Sequence, residues 1–524
     1  MNKFKQFIFN GILLTAVSLA MRGVGVSFNV YISNKVGAEA MGLFTLISTV
    51  YGFAITLATS GINLAATRLV SEAMGELSTA GIREVRARSA AVRVVMRKCL
   101  LYSLFFGALS SLLLYFLAPF LSLSLLKDGR CISSLRLLSL TLIPISLSSA
   151  LSGYFSAVRR VYKNAATQVV EQIIKIFICV ILLTYFFAND VESACLCVVA
   201  GGAIAELVSF LFQVLMYLAE KKVSSNTANS PDGRLVRRKL LGIALPVAFS
   251  AYLRSGLITV EHILIPWGLE RSGASRSHSL RAYGTVHSMV FPIIFFPSAI
   301  LSSFAGLLVP EISEARAAGR GDIVNRIISN VFESALIFAI GTAGIMMCFS
   351  YELGNMIYPA SDAGRYIRMI APLIPIMYLD TAVDAILKGL GEQVYSMGVN
   401  IIDSLLSVIL VVILLPALGI NGYIITVYFT EIINATLSIT RLLSVSQFKP
   451  RIARLVFAPL MAIILSSSAV KYLSLLPVFN LLTGSVQIIS HIILSAIIYL
   501  LLLTLLGSLR PNKLRRGFSL LREN

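Results

Sequence analysis

Fourteen predominantly apolar stretches follow one another along the chain, at 7–32, 41–66, 99–124, 134–158, 165–187, 194–219, 241–266, 283–309, 328–350, 364–387, 397–415, 420–442, 452–473 and 482–507. A helix needs about 20 apolar residues to cross the ~30 Å hydrocarbon core of a bilayer. The expected fold is therefore an all-α integral membrane protein with about 14 transmembrane helices. Composition agrees: 57% of the residues are hydrophobic and 13% charged, where a soluble domain is roughly 25% charged. That excludes a water-soluble enzyme, a disordered chain and a nucleic-acid binder with a solvated surface. Lys3 and Lys5 precede the first apolar run, and Ser18-Leu19-Ala20 has the look of a signal cleavage site. The run continues to Ile32, longer than a signal peptide's apolar region, so a retained first span is expected.

The formal charge is +19, from 44 Lys and Arg against 25 Asp and Glu. With the N-terminus placed inside, the cytoplasmic segments hold 31 of the 44 basic residues and the outer segments 10. The bias puts both termini in the cytoplasm and explains most of the charge as topology and attraction to anionic lipid rather than affinity for nucleic acid. The basic stretch Arg83–Lys98 reads as an amphipathic helix on the inner leaflet, and the tail Arg510–Arg516 reads similarly.

An internal repeat runs at an offset of 232 residues, with Glu171–Leu183 over Asp403–Leu415. Leu135-Arg136 matches Ile367-Arg368, and Ile143-Pro144-Ile145 matches Ile374-Pro375-Ile376 after a one-residue slip. Gly11…Arg22 parallels Gly242…Arg254, and Ser-Glu-Ala follows the second and the eighth spans, at 71–73 and 313–315. The reading is two pseudo-symmetric six-helix halves: residues 1–219, a polar linker 220–240 that lets the halves rock, and residues 241–442. Residues 443–524 add two helices and a basic tail. Parallel repeats of this kind are a transporter signature, with the substrate site expected between the halves.

Ionisable residues inside spans are expensive and mark pathways or buried pairs. Arg22 and Arg254 occupy corresponding mid-span places in the two halves. A guanidinium is permanently charged and grips phosphate bidentately, so the pair is expected to bind a phosphate or pyrophosphate headgroup. The alternative is a structural ion pair, with Glu261 seven residues from Arg254 and Asn29 seven from Arg22 on the same faces. Arg68, ending the second span, is either an interfacial snorkelling residue or a headgroup contact at the cytoplasmic entrance. Glu171 and Lys175 lie four apart and can neutralise one another, whereas their counterparts are Asp403 and Ser407. Asp380, Asp384, Asp403, Glu206, Glu261 and Glu431 are the candidate coupling or cavity acids. Two close carboxylates such as Asp380 and Asp384 share a proton or hold a cation, or they line a wetted vestibule. Pro144, Pro246, Pro292, Pro297, Pro372 and Pro375 can kink their spans.

No Walker A loop, GxSxG or HExxH is present. The six Cys, with no CxxC, read as small core residues, and the four His are scattered without metal-ligand spacing. No enzyme activity, cofactor or metal is expected beyond a possible coupling H+ or Na+.

Three features then carry a resemblance. The opening span holds Arg22 and is followed by Val36-Gly37-Ala38-Glu39-Ala40-Met41-Gly42-Leu43. Gly61-Ile-Asn-Leu-Ala-Ala-Thr-Arg68-Leu-Val-Ser-Glu72 follows, and Lys388-Gly-Leu-Gly391 and Leu418-Gly-Ile-Asn-Gly422 flank later spans. With the six-plus-six-plus-two plan, this resembles the polysaccharide-transporter branch of the MOP (multidrug/oligosaccharidyl-lipid/polysaccharide) exporters, and within it the stage V sporulation protein B-like group, relatives of the lipid II flippases. The resemblance implies a monomeric, multi-pass flippase in a bacterial cell membrane. It would move an undecaprenyl-pyrophosphate-linked saccharide, a cell-wall or polysaccharide precursor, from the inner to the outer leaflet by alternating access. It also implies that Arg22 and Arg254 engage the headgroup. The rival readings are a multidrug cation antiporter of the same superfamily, which would want acids dominating its cavity, and a non-transport scaffold for envelope assembly.

Overall fold

The computed structural model describes residues 3–79, 85–186, 190–220, 233–317, 319–359, 361–446, 448, 452–473 and 484–507. Among them there is no β-strand. The helices are α1 (Lys3–Thr59), α2 (Ile62–Thr79), α3 (Val85–Phe120), α4 (Cys131–Ser139), α5 (Leu142–Ala157), α6 (Val161–Tyr185), α7 (Val191–Glu220), α8 (Gly233–Arg271), α9 (Arg276–Gly284), α10 (Phe291–Phe295) and α11 (Ser298–Ala317). They continue with α12 (Gly321–Cys348), α13 (Ser350–Ile357), α14 (Ala363–Ile370), α15 (Ile374–Gly389), α16 (Gln393–Leu418), α17 (Ile420–Val445), α18 (Ile452–Leu473) and α19 (Ser485–Leu505). The central part of the expected linker, 221–232, and the basic tail lie outside the described residues.

By length and composition, eleven helices among the described residues can cross a membrane, or twelve when the bent pair α4–α5, turned 43° at its break, counts as one span. Two differences separate this from the fourteen expected. The first two apolar runs fall in one stretch, Leu19–Met74, of 56 residues, about 84 Å at helical rise and so long enough for two crossings. Its articulation is Gly37, at φ 84° and ψ 168°, a backbone region that glycine enters without a Cβ penalty. The expected span 283–309 is broken into α9, a π-helical turn Thr285–Val290, α10 and α11. Pro292 opens α10 and Pro297 separates it from α11, each removing a backbone donor. The basic stretch expected as a helix is helical from Val85 and runs on into the span as α3, while Arg83 lies outside the described residues.

The chain gathers into two compact units. One takes residues 1–21, 39–270 and 275–284; the other takes 22–38, 271–274 and 285–524. Thus α8, the expected seventh span, lies in the first unit, and the Arg22–Ala38 segment of α1 lies in the second. In the first unit, Ile62, Ala65, Met96, Leu151, Phe155 and Leu240 belong to one buried core. In the second, Ile328, Phe332, Val383, Ile386, Leu442 and Leu503 belong to another.

The aligned Ile-Pro-Ile motifs occupy equivalent places. Pro144 sits in the first turn of α5, after the α4–α5 break, and Pro375 in the first turn of α15, after the 3-10 turn Ala371–Leu373. The hairpin of α6 on α7 in the first unit likewise has a counterpart in α16 on α17 in the second. Close crossings rest on glycine: a Cβ on Gly153 of α5 would stand 2.6 Å from the Asn63 carbonyl oxygen of α2. The cysteines are free thiols, five of them buried and Cys348 half-buried.

Candidate functional site

In the first unit the chemistry gathers along α8. Arg254 sits 21 residues from the start of the Gly233–Arg271 helix and 17 from its end, about 32 and 26 Å respectively. It is exposed and has no hydrogen bond or ion pair among the described residues. Glu261, seven residues on, does not neutralise it; its charge is felt by Tyr283. An exposed arginine at mid-span is tolerated where it faces water or an anionic partner rather than hydrocarbon.

The same helix bears a polar seam against the 39–59 part of α1. The Tyr252 hydroxyl bonds the Ser60 hydroxyl. Thr56 donates to Ser255 at 3.2 Å, and Thr259 reaches the Thr49 carbonyl at 3.4 Å. His262 Nδ1 meets the fully buried Tyr283 hydroxyl at 2.6 Å. Sequence reasoning passed over this seam. Its signal was present: Tyr252, Ser255, Thr259 and His262 recur at spacings of three and four, as Thr45, Thr49 and Thr56 recur at four and seven, and each set lies on one helical face.

Arg68 is exposed at the end of the expected second span and pairs with Glu72 at 2.9 Å, while Lys239 of α8 approaches the other Glu72 oxygen at 3.7 Å. Such exposed pairs contribute up to about 1 kcal/mol, which leaves Arg68 able to exchange Glu72 for another anion. Elsewhere in the unit, Glu171 and Lys175 of α6 and Glu206 of α7 lie within electrostatic reach of one another.

A further cluster in the unit ties α1, α8 and α9 to the loop before α4, and sequence reasoning missed it because its members are up to 238 residues apart. Arg130 grips Asp128 at 2.9 Å through Nε and 2.7 Å through Nη2, and reaches Glu39 at 3.3 Å. The other Glu39 oxygen accepts from Ser277. Arg276 binds Glu270 at 2.6 Å and the Leu126 carbonyl. Burial opposes ionisation of Asp128, but the hydrogen bonds and charge of Arg130 win and hold its carboxyl below its ordinary range.

In the second unit Arg22 is exposed, and its Nη2 donates to the Phe295 carbonyl at 3.1 Å. This is the expected helix-face pair at work: Asn29, one heptad on, donates to the Ser288 carbonyl at 2.6 Å. Both carbonyls belong to the broken helix, whose freed backbone acceptors need side-chain donors. Tyr378 and Ser298 serve the neighbouring acceptors, Ile294 and Phe295. One of the five N–H groups of Arg22 is therefore committed to structure, and its exposure leaves others for a ligand.

The acids of the second unit divide. Asp384 is satisfied by Lys388 at 2.5 Å and by Ser396. Asp380 of α15, Asp403 of α16 and Glu431 of α17 lie within electrostatic reach of one another, with Ser438 bonding Asp380. Where the corresponding hairpin of the first unit carries Lys175, this one carries Ser407.

The described residues thus form an all-helical membrane fold that carries exposed arginines and in-span acids. The chain belongs to the polysaccharide biosynthesis protein family, whose profile matches residues 7–270. It is 25% identical over 522 residues to stage V sporulation protein B of Bacillus subtilis, covering 98% of each chain. It is 22% identical over 439 residues to the lipid II flippase MurJ of the same organism, covering 79% of this chain and 78% of that protein. Its fold matches that of lipid II flippase MurJ in an inward closed conformation, with a TM-score of 0.69 at 13% identity over 94% of this chain and 98% of that one. Where these relatives' names state an activity, it is that of a flippase and not of an enzyme.

Proposed function

We propose that this protein is a flippase that carries a polyprenyl-pyrophosphate-linked saccharide from the inner to the outer leaflet of a bacterial cell membrane by alternating access, working as a monomer with both termini in the cytoplasm. The observation that carries the reading is Arg254: a mid-span guanidinium, exposed and without a protein partner among the described residues. A pyrophosphate is the natural complement, because it offers paired anionic oxygens to a planar fork of donors. Arg22, exposed and with one donor committed to the Phe295 carbonyl, is a second candidate guanidinium for the headgroup, and Arg68 an exchangeable cytoplasmic contact. The lipid tail stays in hydrocarbon while the charged, sugar-bearing end crosses about 30 Å.

The acids supply coupling. Asp380, Asp403 and Glu431 bring three carboxyls within electrostatic reach of one another, with Lys388 acting on Asp380, and a proton or Na+ is the exchangeable cation that offsets the remaining charge, while Asp384 is already engaged by Lys388. The experiment is reconstitution into vesicles with a panel of lipid-linked saccharides, scored by headgroup accessibility on each leaflet with and without H+ and Na+ gradients. Translocation of a pyrophosphate-linked member, and not of organic cations, is the expected result. Failure of every lipid-linked substrate, or export of organic cations instead, overturns the reading.

A further inference from the structure

A cavity of about 330 Å³ lies in the second unit, walled by α12, α15, α17 and α18. Leu336, Ile340, Leu379, Ala435, Ile439 and Leu460 set its character. The one polar side chain in the wall is Thr436, and its hydroxyl already donates to the Ile432 carbonyl at 2.6 Å. A buried water needs two to four polar partners, and this site offers none that is unspent. Protein interiors are close-packed, and apolar cavities of ~150 Å³ already stay dry and take up hydrocarbon ligands. This cavity is about twice that size.

Its mouth shows which hydrocarbon. Ile432 and Leu460, 45% and 40% exposed, belong to its lining. They continue into the exposed apolar strips Ile425–Phe429 on α17 and Phe457–Ile464 on α18, the surfaces that lipid tails cover. Ile439 lies six residues from the end of α17 and Val456 four from the start of α18, about 9 and 6 Å. These are the ends that charge bias assigns to the cytoplasm. The void thus opens to the inner leaflet and reaches toward mid-membrane. Leu379 and Ile432 in its wall adjoin Asp380 and Glu431 in sequence, so whatever fills it wedges against two helices that carry the acids.

We propose that this cavity is a binding site for one acyl chain of an inner-leaflet phospholipid, retained as a constituent of the second unit. The inference is independent of the transport reading, and its test contains no transport step. The full-length protein, purified in detergent and stripped of lipid, is incubated with a phospholipid bearing a diazirine at mid-chain and irradiated. The expected result is saturable labelling approaching one per chain, mapped to residues 336–340, 375–379, 432–439 and 456–460. Ala435→Phe fills the void and lowers that label at least five-fold, whereas Leu465→Ala, exposed on α18 beyond the lining and the labelled segments, leaves it unchanged. Ile340→Phe serves the same purpose if Ala435→Phe does not fold. Labelling that rises without saturation over the exposed strips, or that survives the filled cavity, overturns the proposal. Displacement of the probe by an equimolar polyprenyl phosphate overturns it too, by assigning the site to a prenyl chain.

Discussion

Replacing Arg254 with alanine separates transport from folding. The side chain is exposed and makes no hydrogen bond or ion pair among the described residues, so its loss leaves no orphaned group. An exposed substitution of that kind changes stability by less than about 0.5 kcal/mol. Its neighbour Ser255 keeps the seam contact with Thr56 at 3.2 Å, and α8 stays docked. What the variant loses is a charge-assisted, forked contact to a pyrophosphate, worth about 1.5–3 kcal/mol. At 1.4 kcal/mol per factor of ten, transport at limiting substrate falls by roughly 10- to 100-fold. Arg254→Lys keeps the charge without the fork and falls between. The assay is headgroup accessibility in vesicles containing a lipid-linked saccharide, run beside a thermal melt of each variant in detergent. Wild-type transport by Arg254→Ala refutes the headgroup role. A drop in melting temperature of several degrees refutes the argument that the residue is structurally idle.

Arg22→Ala loses transport and also strips a donor from the Phe295 carbonyl, so it melts earlier by an amount reflecting about 1 kcal/mol; equal melting of the Arg22 and Arg254 variants contradicts that division. Asp128 ionises below its ordinary range in the folded state, so its stabilisation is complete above the unfolded carboxyl pKa of ~3.9 and is lost as pH falls through the folded value. Asp128→Asn should lower stability by about 1–2 kcal/mol at pH 7, discounted because Arg130 is 33% exposed, and should remove the acid-side slope that melts show below about pH 4. Gly42→Ala places a Cβ 2.1 Å from the Leu280 carbonyl oxygen, and overpacking of this kind costs about 1–3 kcal/mol; an unchanged melt means that α9 is not seated on Gly42. Ser407→Lys gives the second unit the cation that Lys175 gives the first, and translocation should become independent of the H+ or Na+ gradient; retained gradient dependence sinks the coupling argument.

The all-helical fold was legible because lipid imposes a length on apolar runs that loops do not mimic. The repeat was legible through pairs such as Ile143-Pro144 and Ile374-Pro375, since a proline's effect on its helix survives divergence of the surrounding apolar residues. The breaks were only partly legible. Pro292 and Pro297 announce a kink, but the π-helical turn at Thr285–Val290 carries no proline, and the donor that meets its Ser288 carbonyl, Asn29, lies 259 residues away. Gly37 sits in a motif of small residues that does not distinguish it as the articulation of α1.

The candidate site divides on the same physical line. A polar side chain in a membrane span is either satisfied by a partner or available to a ligand, and sequence alone registers only its presence. Arg22 and Arg254 look equivalent in the repeat, yet one is engaged by a carbonyl freed at a helix break and the other has no protein partner among the described residues. Asp380 and Asp384 share a helix face, yet Asp384 is closed by Lys388 and Ser396 while Asp380 meets Asp403 and Glu431. In each pair the asymmetry arises from a neighbour that only the fold supplies, or, for Lys388, from the rotamer it adopts. Function in a pseudo-symmetric transporter is therefore to be sought where the repeat is broken: Arg254 without the backbone contact that Arg22 makes, and Asp403 with Ser407 where Glu171 has Lys175. Substitutions that restore the symmetry, rather than those that delete a charge, are the sharper probes of what each half contributes.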